Sequence, residues 1–443
     1  MRRSLGRTAV AAAALALALT GGAVVLGGTH EAGRSPMVAA PAPPRGELRS
    51  GDLDRGIPAL QAHLRTQPRD FASWATLGTA YVEQARTHGD PSRYRAAARA
   101  LDRSLAVRPG NDAALAGRAA LAAARHDFKG ALRHADRALA VNPYGERALS
   151  SRVDALVELG RYREAARAAD LADERRPGIP VFTRYAYVRE LRGDAAGARR
   201  VLNRALASAT APGDVAYVAT ALGQLAWRQG MYATAERHCG RALRAQAAYL
   251  PALECRARAR GGRGDTAGAL RDLREVVARY PLPGPLVELG ELYEAKGDMR
   301  QARTQYGLVN TWLRLARANG VNADLDTALA ATDHGDKKAA LRAARAEWSR
   351  RRTVHTADAL AWALHAAGRD EEALGHARRA TATGFKEASF WYHRGMIERG
   401  AGEKGAARRS LRTALDLNPA FSPTGSRAAR AALRDLGDGG STS

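Results

Sequence analysis

A glycine followed five residues later by an alanine recurs along this chain at Gly160/Ala165, Gly193/Ala198, Gly230/Ala235, Gly264/Ala269, Gly297/Ala302, Gly335/Ala340, Gly368/Ala373 and Gly402/Ala407. Successive glycines lie 33, 37, 34, 33, 38, 33 and 34 residues apart, and upstream Pro109, Pro143 and Pro177 are each separated by 34. One such pair carries no information in an alanine-rich chain. A series of them in near-register implies one supersecondary unit repeated end to end. Each unit reads as a helix A, a glycine turn and a helix B, and several units end at a proline: Pro68, Pro109, Pro143, Pro177, Pro281 or Pro419. Glycine suits the turn because helix ends commonly need a left-handed residue, and proline cannot continue a helix. The alanine is small because helices packed ~8–10 Å apart reject a long side chain at their contact.

Composition agrees. Aromatic residues make up 6% of the 443-residue chain, and Ala, Leu and Arg dominate it. These residues lose little freedom in a helix, and the scarcity of β-branched runs argues against an extensive sheet.

Trp74, Leu77, Gly78 and Tyr81 match the pattern W-x2-L-G-x2-Y without a gap. Leu286, Leu289, Gly290, Tyr293, Ala302 and Tyr306 carry it through another unit, and Trp391, Gly395, Ala407, Leu411, Ala414 and Pro419 through the last. On these residues the chain resembles the tetratricopeptide repeat over about 48–437. The resemblance implies an all-α fold, an α-solenoid of about ten stacked helix-turn-helix units forming a right-handed superhelix, with units starting near 71, 112, 146, 179, 216, 250, 283, 321, 354 and 388. Residues 48–70 read as a partial opening repeat, 71–421 as the solenoid, 422–437 as a capping helix and 438–443 as a tail. Caps are expected because a terminal repeat face would otherwise stay apolar.

In this family helix A supplies the concave wall, so the resemblance turns certain places of each unit inward. Read out on this sequence, they nominate Arg184, Tyr187, Tyr217, Trp227, Arg258, Glu288, Glu291, Trp362, Tyr392 and His393 as groove contacts. Tyr, Trp and Arg are the residues that dominate binding hot spots, because they bury much area and still hydrogen-bond. The implied partner is a protein or peptide segment. The family's carboxylate clamp for acidic C-termini is absent, since Ala75, Thr79, Ala113 and Gly117 stand where it needs Lys and Asn.

The net charge is +24, and of 69 basic residues 63 are Arg. These spread over nearly every helix instead of forming one patch with aromatic stacking partners, which argues against nucleic acid. An Arg-rich outer face that organises anionic envelope polymer is the alternative reading. At the N-terminus, Arg2, Arg3 and Arg7 precede an apolar stretch from about Ala9 to Leu26. Residues 1–30 therefore read as a signal peptide or an N-terminal membrane anchor, and 31–47 as a Pro/Ala-rich linker, placing the folded part outside the cytoplasm. Export makes Cys239 and Cys255, the only two cysteines, a candidate disulfide. Against it, Cys255 maps toward the concave wall and Cys239 toward the packing layer.

No catalytic arrangement, cofactor site or metal site emerges. Gly400, Gly402 and Gly405 spell G-x-G-x-x-G, but they follow a helix, not the strand the dinucleotide motif requires. His355, His365, His376 and His393 lack metal-ligand spacing and read as surface or groove histidines. The expectation is a non-enzymatic scaffold.

Overall fold

Residues 53–88 and 90–437 are described by the computed structural model. The expected leader (1–30), linker (31–47) and tail (438–443) lie outside them. Among the described residues there are 22 helices and no strands.

An opening helix α1 (Leu53–Thr66) is followed by A/B pairs in chain order. The first are α2 (Phe71–His88) with α3 (Arg93–Val107), α4 (Asp112–Ala124) with α5 (Phe128–Val141), and α6 (Glu146–Glu158) with α7 (Tyr162–Arg175). Next come α8 (Ile179–Leu191) with α9 (Ala195–Ser208), α10 (Pro212–Arg228) with α11 (Tyr232–Ala245), and α12 (Leu250–Gly262) with α13 (Thr266–Arg279). The last pairs are α14 (Pro283–Ala295) with α15 (Met299–Ala318), α16 (Asp324–His334) with α17 (Lys337–Arg350), α18 (Val354–Ala366) with α19 (Asp370–Ala380), and α20 (Ala388–Gly400) with α21 (Lys404–Leu417). A final helix, α22 (Gly425–Asp435), packs on α20 and α21.

Two helices A start off the expected register. α10 begins at Pro212, before 216, because proline is preorganised for the first helical turn. α16 begins at Asp324, after 321, where the Asn322 side chain accepts a hydrogen bond from the Asp324 N–H at 3.1 Å.

The repeated small residues are where the hairpins close. The eight alanines of the glycine–alanine series are each at most 1% exposed. On helix A, a Cβ added at Gly78 would lie 2.5 Å from Leu101 Cγ, and one at Gly290 would lie 2.3 Å from Tyr306 Cε1. These helices approach too closely for any side chain there. At the turns, seven of the eight glycines have φ between +70° and +87°. Gly335 departs from the expectation. It is extended, caps α16 itself and passes directly to Asp336, the N-cap of α17, so this turn is one residue shorter. In the second unit the left-handed place is filled by His126, at φ +60°, a conformation that costs a non-glycine residue roughly 1–2 kcal/mol.

What holds His126 there is a contact far away in sequence. Its Nδ1–H donates to the Asn322 carbonyl at 2.6 Å, across 196 residues. The same relation recurs at each of the first five A–B turns, which rest on the connections of units one superhelical turn later. Tyr280 Oη donates to the Arg86 carbonyl. The backbone of Gly160 abuts that of Arg352, where a Cβ would come within 2.3 Å of the Arg352 oxygen. Beside it the Val354 N–H donates to Tyr162 Oη at 2.9 Å, and Arg351 pairs with Glu158. Gly193 lies against Gly384, and Asn418 Nδ2 donates to the Trp227 carbonyl at 2.9 Å. The hydrogen-bonded pairs are 191 to 196 residues apart, or ~5.6 units of about 34 residues per turn. Successive turns of the solenoid therefore touch along a continuous seam.

The seam carries buried titratable groups with opposed responses to acid. Burial, with Arg351 nearby, pushes the His126 imidazole down to about 4, and burial beside Phe385 and Phe390 does the same to His355. Between pH 6.5 and 4 the unfolded chain binds protons these two histidines refuse, so their share of stability is lost as pH falls through that window. Asp326, pushed up to about 6 by burial, binds its proton early and opposes them. Glu158, raised by burial against the pull of Arg351, opposes them as well. The His126 share is expected as a melting temperature that drops between pH 7 and pH 4.5 relative to a variant lacking this imidazole. His126→Asn is that variant, since Asn tolerates the left-handed conformation without titrating. An unchanged acid limb in this variant would exclude His126 as a source of the acid sensitivity.

Candidate functional site

The inward places of helix A from the fourth unit onward are occupied by side chains that partner one another. Arg184 makes a two-pronged bond to Asp154, at 2.9 and 2.8 Å; burial raises that carboxyl while Arg184 pulls it back. Tyr187 is 9% exposed, and burial holds its hydroxyl well above its ordinary range. Tyr217 Oη donates to Thr183 Oγ1 at 3.2 Å. Arg258 bridges Glu288 and Glu254 and lies over the Trp227 ring, 5.5 Å from its centroid. Burial and the neighbouring Glu254 raise Glu288, against the pull of Arg258. Glu291 accepts from Ser422 Oγ at 2.8 Å, tying α14 to the start of the closing helix.

At the other end of the wall, Trp362 Nε1 donates to Asp333 at 2.9 Å, and its ring stacks on His393 at 4.2 Å. Burial would lower His393, but Asp358, 2.9 Å from its Nδ1, holds it above the ordinary value. Tyr392 packs between Trp362 and Phe421. Arg184, Tyr217, Arg258, Glu288, Glu291, Trp362 and His393 thus hydrogen-bond within the molecule, whereas the Trp227 indole N–H is buried with no hydrogen-bond partner among the described residues.

The first three units are different. The facing sides of α2, α4 and α6 line an open cavity of about 290 Å³, with Ala75, Ala80, Ala116 and Ala148 buried along it and Ala113 exposed at its edge. Thr76 and Thr79 line one wall, but both hydroxyls donate to their own helix, at Ala72 and Ala75 carbonyls. Carboxylates stand around the rim at Glu83, Asp112 and Glu146, with Arg147 beside them. Small residues therefore leave open here the space that Arg, Tyr and Trp fill in later units. Sequence reasoning used Ala75, Thr79 and Ala113 only to exclude a clamp. The signal for a cavity was the run of small residues at inward places of three successive units.

Cys239 and Cys255 are bonded to each other, Cα atoms 5.9 Å apart, joining α11 to α12. The expectation that they face different layers is corrected: both are buried, at 0% and 1% exposure. They meet because Gly223 of α10 has no side chain; a Cβ there would lie 2.6 Å from each sulfur. Of the four histidines singled out in the sequence, His365 and His393 both stack on the Trp362 ring, at 4.8 and 4.2 Å, while His355 and His376 lie elsewhere. His365 pairs with Asp370, His376 meets the Trp348 ring edge-on, and His355 sits against Phe385 and Phe390. Of the G-x-G-x-x-G glycines, Gly400 ends α20, Gly402 lies in the turn and Gly405 stands in the first turn of α21.

A family model for the tetratricopeptide repeat matches residues 388–421, the last A/B pair. No curated protein matches the chain. Among solved structures, the APC/C hetero-tetramer Cut9-Hcn1 is similar over 87% of each chain at 13% identity, with a TM-score of 0.41. A human IFIT1 dimer is similar over 74% of this chain and 78% of its own, at 16% identity and a TM-score of 0.47. The pilF protein of Pseudomonas aeruginosa is similar over 49% of this chain and 94% of its own, at 21% identity and a TM-score of 0.36.

The bond between units five and six closes a loop with a sequence separation of 16. Opening it is expected to lower unfolding free energy by about 3 kcal/mol through the freedom returned to the unfolded chain. Urea midpoints for Cys239→Ala/Cys255→Ala against the parent measure this. A mass gain of two hydrogens on reduction under denaturing conditions establishes the bond in the isolated protein.

Proposed function

We propose that this chain, a tetratricopeptide-repeat protein, acts outside the cytoplasm as a non-enzymatic scaffold that holds an extended protein segment in the cradle of α2, α4 and α6. One observation carries the reading: three successive helices A present small side chains to a shared cavity of about 290 Å³, while the same places further along are filled by paired residues. A lining of alanines accepts small apolar side chains. The rim carboxylates Glu83, Asp112 and Glu146, engaged by Arg86, Asn142 and Arg176, outnumber the one rim cation, Arg147, and so favour a segment that also carries basic residues. The nominated wall residues then act as the brace that fixes the cradle's curvature, and Tyr217 and Trp227 extend the path of a longer segment.

The location is supported by Arg2, Arg3 and Arg7 ahead of an apolar stretch and by a bonded cysteine pair, which suits an oxidising compartment.

A photo-crosslinking residue placed at Thr79 in the native cell should capture one partner segment, identified by mass spectrometry. The same residue at Arg199, on the exposed face of α9, should not capture it. Ala113→Trp, which fills the cradle from an exposed position, should weaken that partner's binding at least about tenfold, or ~1.4 kcal/mol, with an unchanged melting temperature. Equal capture from Thr79 and Arg199 would sink the cradle as the binding site. Cleavage of the folded part by protease added to intact cells or spheroplasts tests the location.

A further inference from the structure

A second cavity, of about 540 Å³, opens on the seam between turns, away from the cradle. Its walls come from parts of the chain about 190–220 residues apart: Lys129, Leu132 and Arg133 of α5, Leu159 and Arg161 at the α6–α7 turn, and Ser349 to Arg352 at the end of α17. Six of these nine residues are cations, and none of the lining residues is a carboxylate.

Many arginines of this molecule are paired with neighbouring carboxylates, as Arg184 is with Asp154 and Arg228 with Glu190. Here that is true only on one side. Arg161 is held by Glu164, Arg350 by Asp324 and Glu347, and Arg351 by Glu158 and Glu347. Lys129 and Arg133, one helical turn apart on the same face of α5, meet no carboxylate among the described residues. Among the described residues, the Arg352 guanidinium is engaged by the Trp348 ring, 5.7 Å from its central carbon.

The base of the cleft gives an independent indication. Arg351, a lining residue 4% exposed, has its guanidinium 4.8 Å over the Phe128 ring, and its Nη2 is buried with no hydrogen-bond partner among the described residues. A buried guanidinium N–H without an acceptor costs free energy, so an anion in the cleft that accepts from it would be favoured. The exposed cations at the mouth supply attraction, and the planar forks of arginine fit phosphate oxygens two at a time.

We propose that this cleft is an anion site for a phosphate-bearing molecule, of the diphosphate class, that bridges adjacent turns of the solenoid. The cations stand on both sides of a cleft that is roomy for a single phosphate, so two linked phosphates can reach Lys129 and Arg133 on one wall and Arg350 to Arg352 on the other. Because the ligand would touch both turns, binding tightens the seam. The inference rests on the seam and not on the cradle.

The test is titration calorimetry of the full chain with inorganic pyrophosphate, orthophosphate and sulfate at about 0.15 M salt. Saturable binding of pyrophosphate is expected, at least about tenfold tighter than orthophosphate or sulfate, with a rise in melting temperature on saturation. K129E/R133E should weaken pyrophosphate binding at least about tenfold, whereas R199E/R200E, an identical charge change on the exposed face of α9, should shift it less than about twofold. Equal weakening by both double variants would reduce the effect to general surface charge and overturn the site. Absence of saturable binding, or orthophosphate bound as tightly as pyrophosphate, would overturn it as well.

Discussion

The contact between successive turns governs much of what this solenoid can do. In an open repeat array each unit touches only its neighbours, and stability is close to a sum of local terms. Here the A–B turns of the first five units each rest on a connection one superhelical turn later. That offset requires the rotation from unit to unit to be held constant, and small residues at the helix contacts provide this. Substituting a bulky residue at Ala165 would act locally on one hairpin, but it would also displace Gly160 from the backbone of Arg352. Curvature and seam are one constraint seen at two distances.

Closing the seam changes the character of the inner wall. A concave surface that would stand open in a loosely wound array becomes a lining whose charged groups face protein on several sides. Charges in such a position are retained only when paired, and the wall shows the pairs: Arg184 with Asp154, Arg228 with Glu190, Arg258 with Glu288 and Glu254. The seam obeys the same rule at Arg351, held by Glu158 from one turn and Glu347 from the other. Removing one partner of such a buried set leaves an uncompensated charge, at a cost of about 3–5 kcal/mol. The first two units and the start of α6 escape this packing because Ala75, Thr76, Thr79, Ala113, Ala116 and Ala148 stand there, whereas Asp154 further along α6 already belongs to the paired wall.

The repeat was fully legible in the sequence, because its signal lies in local geometry. A left-handed turn needs glycine and a close helix contact needs alanine, and both requirements are met inside a single hairpin. Their exceptions were hidden for the same reason. His126 occupies a glycine place only because Asn322 lies across the seam to receive its Nδ1–H, and no pattern within one unit contains Asn322. Export and the paired cysteines were readable as expectations, but the meeting of Cys239 with Cys255 depends on Gly223 of a third helix. The groove was legible as a list of inward places and illegible as a surface. Whether Arg258 faces a partner or a glutamate is decided by what stands 30 residues away, at Glu288. The cavity between α2, α4 and α6 left only an absence to read, a run of small residues where larger ones were sought.

A solenoid with touching turns has two ways to respond to a ligand. A segment held as proposed in the cradle would contact units one to three and act within one turn, whereas an anion at Lys129, Arg133 and Arg350 to Arg352 would join two turns. These sites share an element: the α4–α5 and α6–α7 hairpins contribute one face to the cradle and the other to the seam. α6 offers Glu146 to Ala148 at its start to the cradle, and Glu158 at its end to Arg351. Any shift of α6 along its axis on filling the cradle would therefore be felt at Glu158, the carboxylate that the first turn lends to Arg351. Coupling of this kind needs no long pathway, because a single helix of 13 residues spans both sites, and by linkage its sign must be the same whichever ligand binds first.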